Sequence, residues 1–377
     1  MKICIVQGPF LPIPPINGGA VEKMWFELAN YFNKKGHKIT YISRHFKKFR
    51  YFEKKNKIIH LRVKSFNKPK NIFLSKYYDF IYTLRVLKKI PDESDIIISN
   101  TFFLPILINN NLKKKIFIDV QRTPRGQIFF YKKSARFRAN SKIVYNNIIK
   151  ELGNTNKHKV RLIPNPLTNI SKSLILKKFN NKILYTGRIH PEKGLEILIN
   201  AFKKLNDKSK LEIIGPYKIN EGGGGLDYLN KLKYMSKKNN IRFLGPIYDK
   251  KKLNLKYKNA SIFIYPSISE KGETFGLSPL EAMSFGCATI VSNLDCFKDF
   301  IKNNHNGLIF NHRKNKVSNL FNKICFLKKN KSFFSKISYN AKKVNYTHSI
   351  IKIGNELLRD FNYIVNQNKH ENSFTKK

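Results

Sequence analysis

Short apolar runs alternate with longer amphipathic segments along this chain of 377 residues. The first run, Lys2–Val6, ends at a loop rich in proline and glycine, and short apolar runs bounded by such residues are typical of buried strands. Val21, Met24 and Leu28 then recur at helical spacing, which predicts a helix that begins near Ala20. Strands that alternate with helices in this way indicate an α/β protein built on parallel sheets.

The alternation continues to the end of the chain. Further strands are predicted by apolar runs at 39–42, 58–63, 95–99, 116–120, 182–186, 211–214, 241–244, 261–266 and 288–292. Helices are predicted near 75–89, 102–109, 251–258, 296–303 and 349–364, and a strand is predicted between Ser141 and a helix near 146–152. The length of the chain suits two domains, each large enough to bury a core.

The charge of the chain is extreme, because the formal net charge is +49. A polyanion-binding protein is therefore one alternative that the composition raises. Lysine greatly outnumbers arginine, however, and the lysines are spread along the chain rather than gathered in one arm. The sequence contains neither zinc-finger spacing nor an aromatic RNA-binding motif, so nucleic acid is not expected as a partner. An anionic membrane surface is the partner that the charge favours.

Cysteine content and hydropathy indicate the cellular compartment of the protein. The 4 cysteines form neither a close pair nor a metal-binding pattern, which is typical of a reduced, cytosolic protein. No apolar run approaches the roughly 20 residues that span a bilayer, and the start of the sequence does not have the pattern of a signal peptide. We therefore expect a cytoplasmic protein, with peripheral attachment to the inner face of the cytoplasmic membrane as a further expectation.

The segment from Ser269 to Gly286, SEKGETFGLSPLEAMSFG, combines two carboxylates with a loop and the start of a helix. Glu273 and Glu281 have seven residues between them, and Gly276 lies in that interval. Because the segment follows a predicted buried strand, it falls where open α/β sheets bind ligands, outside the carboxyl ends of their strands.

The chemistry of this segment suits a nucleotide sugar. A helix is predicted to begin at Pro279 with Ser278 as its N-cap, and free N–H groups at a helix start bind anions. Gly276 allows a phosphate to approach the backbone, and carboxylates on either side can accept hydrogen bonds from sugar hydroxyls. The alternative for Glu281 is structural, because it also falls where a capping box places its carboxylate.

Two cations follow the predicted strand 182–186, in the sequence GRIHPEKG. Gly187 frees the backbone at the end of the strand, and Arg188 and Lys193 precede the next predicted helix. Arginine binds phosphate through two parallel hydrogen bonds and lysine adds a mobile charge, so the pair suits a diphosphate. Two surface cations in a basic protein are the alternative interpretation.

The stretch ETFGLSPLEAMSFGCATIVSN, with its Glu-x7-Glu spacing, closely resembles the motif of the retaining glycosyltransferases of family 4. The Gly-Arg and Pro-x-Lys-Gly elements at 187–194 match the same family, and the resemblance spans most of the chain. It implies an α/β protein of the GT-B fold: two facing Rossmann-like domains with parallel sheets, the second of which binds a nucleotide sugar.

The resemblance implies roles for individual residues. Arg188 and Lys193 would be catalytic, because they would stabilise charge that develops on the leaving diphosphate. Glu273 would be catalytic because it would bind hydroxyls of the donor hexose, and Glu281 would bind the ribose. The other donor-binding candidates are Gly18, Gly19, Gly187, Phe275, Gly276 and Leu277. The sequence contains no Asp-x-Asp motif, so no metal is implied, and no cofactor is expected beyond the nucleotide-sugar co-substrate, for which a UDP-sugar is favoured over a GDP- or ADP-sugar.

The first domain would present the acceptor. In the family a Gly-Gly turn before the first helix approaches the donor diphosphate, and Gly18 and Gly19 match it, with an ordinary tight turn as the alternative. A His often follows the strand that corresponds to 116–120, but here Gln121 takes its place, and glutamine cannot act as a general base. Arg122 and Arg125 would meet an anionic acceptor such as a phosphorylated sugar or lipid, or would form a basic surface loop.

The resemblance also guides the predicted domain boundaries. The acceptor-side domain covers 1–167, and a linker covers 168–178. The nucleotide-sugar-binding domain covers 179–345. A helix at 346–365 is expected to cross back to the first domain, and residues 366–377 are expected to form a disordered basic tail.

These observations predict an enzyme that moves a hexose from a nucleotide sugar to a glycan or lipid-linked acceptor, with retention of the anomeric configuration. The loop PFLPIPPINGGAVE resembles those of bacterial enzymes of lipopolysaccharide core or surface-glycan biosynthesis. An enzyme of the sucrose or glycogen type would differ only in its acceptor. The alternatives from other classes are a non-catalytic relative that binds nucleotide sugar or glycan, which Gln121 motivates, and a polyanion-binding protein, which the charge motivates.

Overall fold

The computed structural model describes residues 1–168, 170, 177–237 and 239–374, and for 371–374 it describes the backbone alone. The chain divides into two compact units. The first unit contains residues 1–168 and the C-terminal helix, and the second unit contains the described residues from 170 to 349. Most of the predicted linker at 168–178 and the last three residues of the predicted tail lie outside the described residues.

The strands of the first unit are β1 (Lys2–Val6), β2 (Lys38–Arg44), β3 (Phe52–Lys55), β4 (Ile58–Val63), β5 (Ile96–Ser99), β6 (Ile116–Val120), β7 (Arg136–Ala139) and β8 (Val160–Leu162). In the described part of the chain they form one sheet in the order β3-β4-β2-β1-β5-β6-β7-β8. The pairs from β4 to β8 are parallel, as predicted, and β3 pairs antiparallel with β4.

Two strands of this sheet differ from the sequence prediction. β3 was not predicted, because its residues FEKK are polar and mostly exposed, as suits a short strand at a sheet edge. β7 precedes Asn140, whereas the sequence predicts a strand after Ser141. Helix α5 (Lys142–Leu152) starts immediately after Ser141 instead, because the Ser141 hydroxyl accepts a hydrogen bond from the N–H of Val144 and caps the helix.

The strands of the second unit are β9 (Lys182–Thr186), β10 (Lys210–Ile214), β11 (Ile241–Gly245), β12 (Ile262–Tyr265), β13 (Ala288–Ser292) and β14 (Leu308–Phe310). The described residues form one parallel sheet in the order β11-β10-β9-β12-β13-β14. The strand order reverses between β9 and β12. Ligands of open α/β sheets bind outside the carboxyl ends of the strands at such a reversal.

The helices complete both units. The first unit has α1 (Ala20–Lys34), α2 (Ile72–Leu87), α3 (Leu104–Leu107), α4 (Asn110–Lys113) and α5, and the second has α6 (Leu195–Lys203), α7 (Gly225–Met235), α8 (Lys250–Asn259), α9 (Leu277–Ser284), α10 (Lys316–Lys329), α11 (Lys331–Ala341) and α12 (Val344–Thr347). The helix predicted at 296–303 is a shorter 3₁₀ turn, Asp295–Asp299.

The C-terminal helix α13 (Ile350–Phe374) belongs to the first unit, which confirms the prediction that it returns there. The ring of Phe361 packs edge-on against Phe32 of α1 and Phe117 of β6, with ring centroids 5.8 and 5.0 Å apart. The Tyr31 hydroxyl donates to Oδ1 of Asn355 at 2.6 Å. These contacts anchor the helix through apolar burial and a polar bond.

Helix α13 also continues through residues 366–374, where the sequence predicts a disordered tail. Nδ2 of Asn368 donates to the carbonyl oxygen of Lys114 at 3.0 Å, and Nε2 of Gln367 donates to the Tyr363 hydroxyl at 2.8 Å. Val365 packs against the core of the first unit. Val365 and Asn368 thus have tertiary partners that a polar, lysine-containing sequence does not reveal, and these contacts support the extension of the helix.

Candidate active site

The carboxyl ends of β9 and β12 bring together four predicted site residues. Gly187 and Arg188 directly follow β9, and Lys193 ends the short 3₁₀ turn Pro191–Lys193. Glu273 lies in the loop that follows β12. Because β9 and β12 are direct neighbours at the reversal of strand order, these side chains converge on the expected ligand-binding edge of the second unit.

The backbone at Gly187 is closely packed. A Cβ atom on Gly187 would lie 2.7 Å from the hydroxyl oxygen of Tyr185 and 3.1 Å from the ring of Tyr265. A Cβ atom on Gly215 would lie 1.8 Å from the carbonyl oxygen of Gly187. The Tyr185 hydroxyl also donates to the carbonyl oxygen of Arg188 at 2.9 Å. Packing alone therefore requires glycine at this strand end.

The guanidinium of Arg188 has two acceptors. Nη1 donates to the carbonyl oxygen of Gly222 at 2.8 Å, and Nη2 donates to Oε1 of Glu192 at 2.7 Å. A Cβ atom on Gly222 would lie 3.0 Å from Nη1 of Arg188. The glycine run at 222–225 therefore supplies a contact to Arg188, a role that the sequence does not indicate.

Lys193 and Glu273 form a buried ion pair. Nζ of Lys193 lies 2.7 Å from Oε2 of Glu273, and the side chains are 5% and 11% exposed. The same Nζ lies 5.7 Å from the ring centroid of Tyr265. Burial raises the pKa of Tyr265, and the Glu273 carboxylate raises it further. The site thus places a cation and a carboxylate next to each other in a largely water-excluded position.

Glu192 contacts both cations, although it was not among the predicted site residues. Its Oε1 lies 2.7 Å from Nη2 of Arg188 and 3.6 Å from Nζ of Lys193. Burial opposes ionisation of this carboxyl, but the charges of Lys193 and Arg188 outweigh it and hold the pKa of Glu192 below its usual value. The spacing of four residues from Arg188 was the signal in the sequence that could have identified it.

Helix α9 begins before its predicted start. Its N-cap is Gly276, with φ 91°, and Leu277 is the first helical residue, so Ser278 is not the cap and Pro279 is not the first position. A Cβ atom on Gly276 would lie 2.5 Å from the ring of Phe297. The predicted start is therefore wrong, because the close approach of Phe297 and the left-handed backbone of Gly276 determine where the helix begins.

Phe275 and Leu277 flank Gly276 differently. The Phe275 ring is buried, with its centroid 5.4 Å from that of Phe300 and 6.2 Å from that of His348. Leu277 is half-buried. The Phe275 side chain thus anchors the loop in the core, and the group that this residue can offer a ligand is its backbone.

Glu281 is tied to the end of β9 through a tyrosine. The Tyr257 hydroxyl lies 3.0 Å from Oε2 of Glu281 and 2.7 Å from Oγ1 of Thr186, the last residue of β9. Burial raises the pKa of Tyr257, and the Glu281 charge adds to this rise. Tyr257 therefore stays protonated and can donate to the Glu281 carboxylate, which is half-buried at the same sheet edge.

In the first unit, Gly18 and Gly19 form the turn before α1 with φ of 81° and 89°. A Cβ atom on Gly19 would lie 2.2 Å from Oε2 of Glu22 and 2.7 Å from Leu11. Nε2 of Gln7 donates to Oε1 of Glu22 at 3.3 Å. Burial raises the pKa of Glu22 despite this hydrogen bond. The turn accordingly needs glycine at these positions for local reasons.

Gln121 belongs to a polar network. Its Nε2 donates to Oδ1 of Asp119 at 2.8 Å and to Oδ1 of Asn165 at 3.1 Å. Its Oε1 accepts from Nδ2 of Asn165 at 2.9 Å and from Nδ2 of Asn140 at 3.2 Å. Asp119 also pairs with Arg138 at 2.7 Å, with both side chains fully buried. Neighbouring side chains therefore engage both ends of the Gln121 amide.

Arg122 and Arg125 are exposed in the loop after Gln121. The Arg122 charge contributes to lowering the pKa of Glu22, against the larger effect of burial. The backbone N–H of Arg125 donates to Oε1 of Gln127 at 2.6 Å. Both guanidinium groups are thus accessible to an anion.

Among the residues that the structure describes, no three His, Cys, Asp or Glu side chains are placed to hold a metal ion. No helix of the described part of the chain has the length and hydropathy to cross a bilayer.

The sequence of the second unit matches a family of known proteins. Residues 168–344 match the family model of the glycosyl transferases group 1. An uncharacterised glycosyltransferase of Methanocaldococcus jannaschii is 29% identical over 204 residues, which cover 54% of this chain and 45% of that protein. The lipopolysaccharide 1,2-N-acetylglucosaminetransferase of Salmonella typhimurium is 29% identical over 143 residues, 36% of each protein. The matches span less than half the length of these two relatives.

A solved structure matches nearly the whole chain. HepE from Anabaena, in complex with UDP and glucose, is similar over 96% of this chain and 100% of that chain, with a TM-score of 0.72 at 16% identity. This likeness shows the fold, and it confirms the predicted GT-B class with two Rossmann-like units built on parallel sheets. The match of residues 168–344 to the glycosyl transferases group 1 model and the similarity to named glycosyltransferases together support a transferase enzyme.

Proposed function

We propose that this protein is a retaining glycosyltransferase of family 4 that moves a hexose from a nucleotide sugar to a glycan or lipid-linked acceptor. The observation that carries the proposal is the grouping of Arg188, Lys193 and Glu273 where the strand order of the second unit reverses. Two cations suit a diphosphate, and a carboxylate beside them suits sugar hydroxyls. The group 1 domain match over the same unit supports this interpretation.

The proposed roles follow from charge development in the reaction. The bond between the anomeric carbon and the diphosphate breaks, the acceptor hydroxyl adds on the same face, and its proton passes to the leaving phosphate oxygen. Arg188 and Lys193 stabilise the charge on that leaving group. Glu273 holds hexose hydroxyls, and Glu281, which Tyr257 orients, binds the ribose. The backbone of Gly187, Phe275, Gly276 and Leu277 completes the donor site.

The proposal extends to the identity of the donor and to residues of the first unit. A UDP-sugar is favoured because HepE was crystallised with UDP, with UDP and glucose, and with UDP-glucose. Gly18 and Gly19 are proposed as further donor contacts, and Gln121, Arg122 and Arg125 as acceptor-side residues. The engaged amide of Gln121 favours the two arginines as the groups that meet an anionic acceptor.

The proposed acceptor is a component of a bacterial lipopolysaccharide core or surface glycan. Relatives in Salmonella typhimurium support it, since one is a lipopolysaccharide N-acetylglucosaminetransferase and another an O-antigen chain mannosyltransferase. A lipid-linked acceptor would place the enzyme at the cytoplasmic face of the inner membrane. The net charge of +49 favours attraction to such an anionic surface.

Exposed aromatic residues of the first unit support membrane contact. Phe73 and Tyr77 on α2 are 79% and 56% exposed, and Phe129 and Phe130 are 57% and 64% exposed. We call these four residues the aromatic surface. Nζ of Lys132 lies 3.9 Å from the ring centroid of Phe129. Aromatic rings beside lysines suit the boundary between acyl chains and anionic headgroups.

A transfer assay tests the proposal. Purified protein would be incubated with UDP-, GDP- and ADP-hexoses and with core oligosaccharide or glycolipid acceptors, and the products would be identified by mass spectrometry and anomeric NMR. We expect one donor to be used with retention, and Glu273→Gln to lower kcat/KM by more than about 100-fold, or about 2.7 kcal/mol. Glu196→Gln, on the exposed side of α6, is the matched control and should retain activity.

Other outcomes distinguish the alternatives. Donor binding without turnover on any acceptor would favour the non-catalytic relative. Binding of nucleic acid with a steep dependence on salt, and none of nucleotides, would favour the polyanion-binding protein. Transfer to fructose 6-phosphate or to a glucan would retain the donor site but replace the proposed acceptor.

A further inference from the structure

The cations proposed to bind the diphosphate have carboxylate partners in this structure. Nζ of Lys193 lies 2.7 Å from Glu273, and Nη2 of Arg188 lies 2.7 Å from Glu192. The proposed phosphate site therefore brings two negative side chains to its two positive ones. The sequence alone indicates only the two positive charges, so an incoming diphosphate meets a site with less attraction than the arginine and lysine suggest.

Glu192 and Glu273 differ in their proposed roles when a donor binds. Glu273 has a proposed role with the hexose hydroxyls, and it can keep its ion pair with Lys193 while it serves them. Glu192 has no such role. Its Oε1 lies 3.6 Å from Nζ of Lys193 and accepts a hydrogen bond from Nη2 of Arg188. A phosphate oxygen of the donor would otherwise accept that hydrogen bond.

The backbone of Glu192 is fixed by the loop after β12. Its carbonyl oxygen accepts from the N–H of Ile268 at 2.9 Å and from the hydroxyl of Ser267 at 3.2 Å. Its own N–H donates to Nδ1 of His190 at 3.3 Å. Substitution of the carboxylate by a neutral group of the same size therefore leaves these anchoring contacts in place.

The carboxylate of Glu192, in contrast, is held only by contacts with other side chains. The side chain is 31% exposed and has three rotatable bonds, and Oε2 lies 3.5 Å from the hydroxyl of Ser269, at the limit of a hydrogen bond. Its pKa is held low by Lys193 and Arg188 against the opposing effect of burial, so it is charged at neutral pH. A partly exposed negative charge thus lies directly on Arg188, the cation proposed to bind the diphosphate.

We propose that Glu192 is an internal counter-anion of the donor site. Its carboxylate binds Arg188 while the site is empty, the diphosphate displaces it when the donor binds, and it returns to Arg188 as the nucleoside diphosphate leaves. The carboxylate thereby weakens the product complex and speeds product release. The inference rests on the proposed function, because it requires Arg188 to bind the diphosphate.

Removal of the charge tests the inference. Glu192→Gln keeps the length of the side chain and an oxygen that can accept from Arg188, but it cannot repel a diphosphate. We expect the dissociation constant of UDP, measured by titration calorimetry, to fall about tenfold, and the dissociation rate in stopped-flow displacement to fall with it. The matched control is Glu196→Gln, which removes the ion pair with Lys231 at 3.0 Å on the same chain segment and should leave both quantities unchanged.

The outcomes separate the inference from the proposed function. Equal affinity in wild type and Glu192→Gln overturns the inference, and weaker affinity in the variant shows that Glu192 serves to orient Arg188 instead. If GDP or ADP proves to be the nucleotide that binds, the same comparison applies to it. If neither protein binds any nucleoside diphosphate, the proposed function fails and the inference fails with it. Circular dichroism melting of each variant verifies that the fold is retained.

Discussion

Lys193 and Glu273 are 80 positions apart in the sequence, yet their side chains meet at 2.7 Å in a largely buried ion pair. The pair joins the 3₁₀ turn after β9 to the loop after β12, the two segments that carry the proposed catalytic groups. Each residue is the counterion that makes burial of the other tolerable. The position of each side chain in the candidate site therefore depends on the charge of the other.

Loss of one partner of this pair should be costly. Lys193→Met leaves Glu273 buried without its cation, and we expect the free energy of unfolding to fall by about 3 kcal/mol. Urea denaturation followed by circular dichroism would measure it. The exposed pair of Lys231 and Glu196 provides the comparison, because Lys231→Met should change stability by less than about 1 kcal/mol. Similar losses in the two variants would show that burial of the Lys193 pair has no energetic consequence.

Gly276→Ala should disrupt the start of α9. The residue has φ 91°, and the new Cβ atom would lie 2.5 Å from the Phe297 ring. We expect a loss of about 2–4 kcal/mol in the free energy of unfolding, from backbone strain and overpacking together. Gly245→Ala is a matched control, because Gly245 has φ 69° but a Cβ atom there would meet nothing within 4 Å, so it should lose only about 1 kcal/mol.

A second variant separates strain from overpacking at this position. If Phe297 causes part of the loss, Phe297→Leu combined with Gly276→Ala should be more stable than the sum of the single changes predicts, as a double-mutant cycle would reveal. Strict additivity of the two changes would contradict the packing argument.

Stability should fall in mild acid because of His348. Burial lowers the pKa of His348 to about 4, below the ordinary value of 6.5. Its contribution is present above the unfolded pKa and is lost as the pH falls from 6.5 towards 4, since the unfolded chain takes up the proton first. We expect a loss of about 2 kcal/mol between pH 7.5 and pH 5 from this group.

The variant His348→Phe tests this origin. It fills the space beside Phe275 and Phe300 without a titratable ring, so its stability should depend less on pH over this range, as measured by urea denaturation at pH 7.5 and pH 5. His60, whose pKa burial also lowers to about 4, remains in the first unit of both proteins and contributes equally to each. An identical pH dependence in wild type and variant would show that His348 does not cause the loss of stability in acid.

The aromatic surface should mediate binding to anionic vesicles. In co-sedimentation with phosphatidylglycerol vesicles, Phe73→Ser with Phe130→Ser should weaken binding by about tenfold, because each exposed ring contributes apolar area at the interface. Tyr234→Ser with Tyr339→Ser, at residues of the second unit that are 72% and 58% exposed, is the matched control and should bind as wild type does. Equal weakening by both pairs would refute a specific surface.

The central strands could be predicted from the sequence, because the signal lies in a few consecutive residues. The predicted strands at 58–63, 116–120, 182–186 and 288–292 occur on those residues, because strands buried within parallel sheets are continuous apolar runs bounded by turn residues. β7 escaped this rule, since its residues RFRA include two buried arginines. Arg136 pairs with Asp360 and Arg138 with Asp119, and such distant partners are not visible in a local pattern.

The candidate site was predictable in its residue types but not in its connections. The motifs indicated Arg188, Lys193, Glu273 and Glu281, and the structure places the first three together and Glu281 at the same sheet edge, joined to β9 through Tyr257. The pairing of Lys193 with Glu273 and the start of α9 at Leu277 depend on contacts between the segments that follow β9 and β12 and on the Phe297 ring. Tertiary packing determined these features, and sequence periodicity carries no information about it.

We propose above that the second unit binds a nucleotide sugar through Arg188 and Glu281. The most direct measurement is the melting temperature of wild type, Arg188→Ala and Glu281→Ala against UDP, GDP, ADP, CMP and their sugars, with Arg85→Ala of the first unit as a control. A ligand at about 100 times its dissociation constant adds about 2.7 kcal/mol of stability. We expect one nucleotide family to raise the melting temperature of wild type and of the control, and of neither site variant. An equal rise in all four proteins, or no rise with any nucleotide, would contradict it.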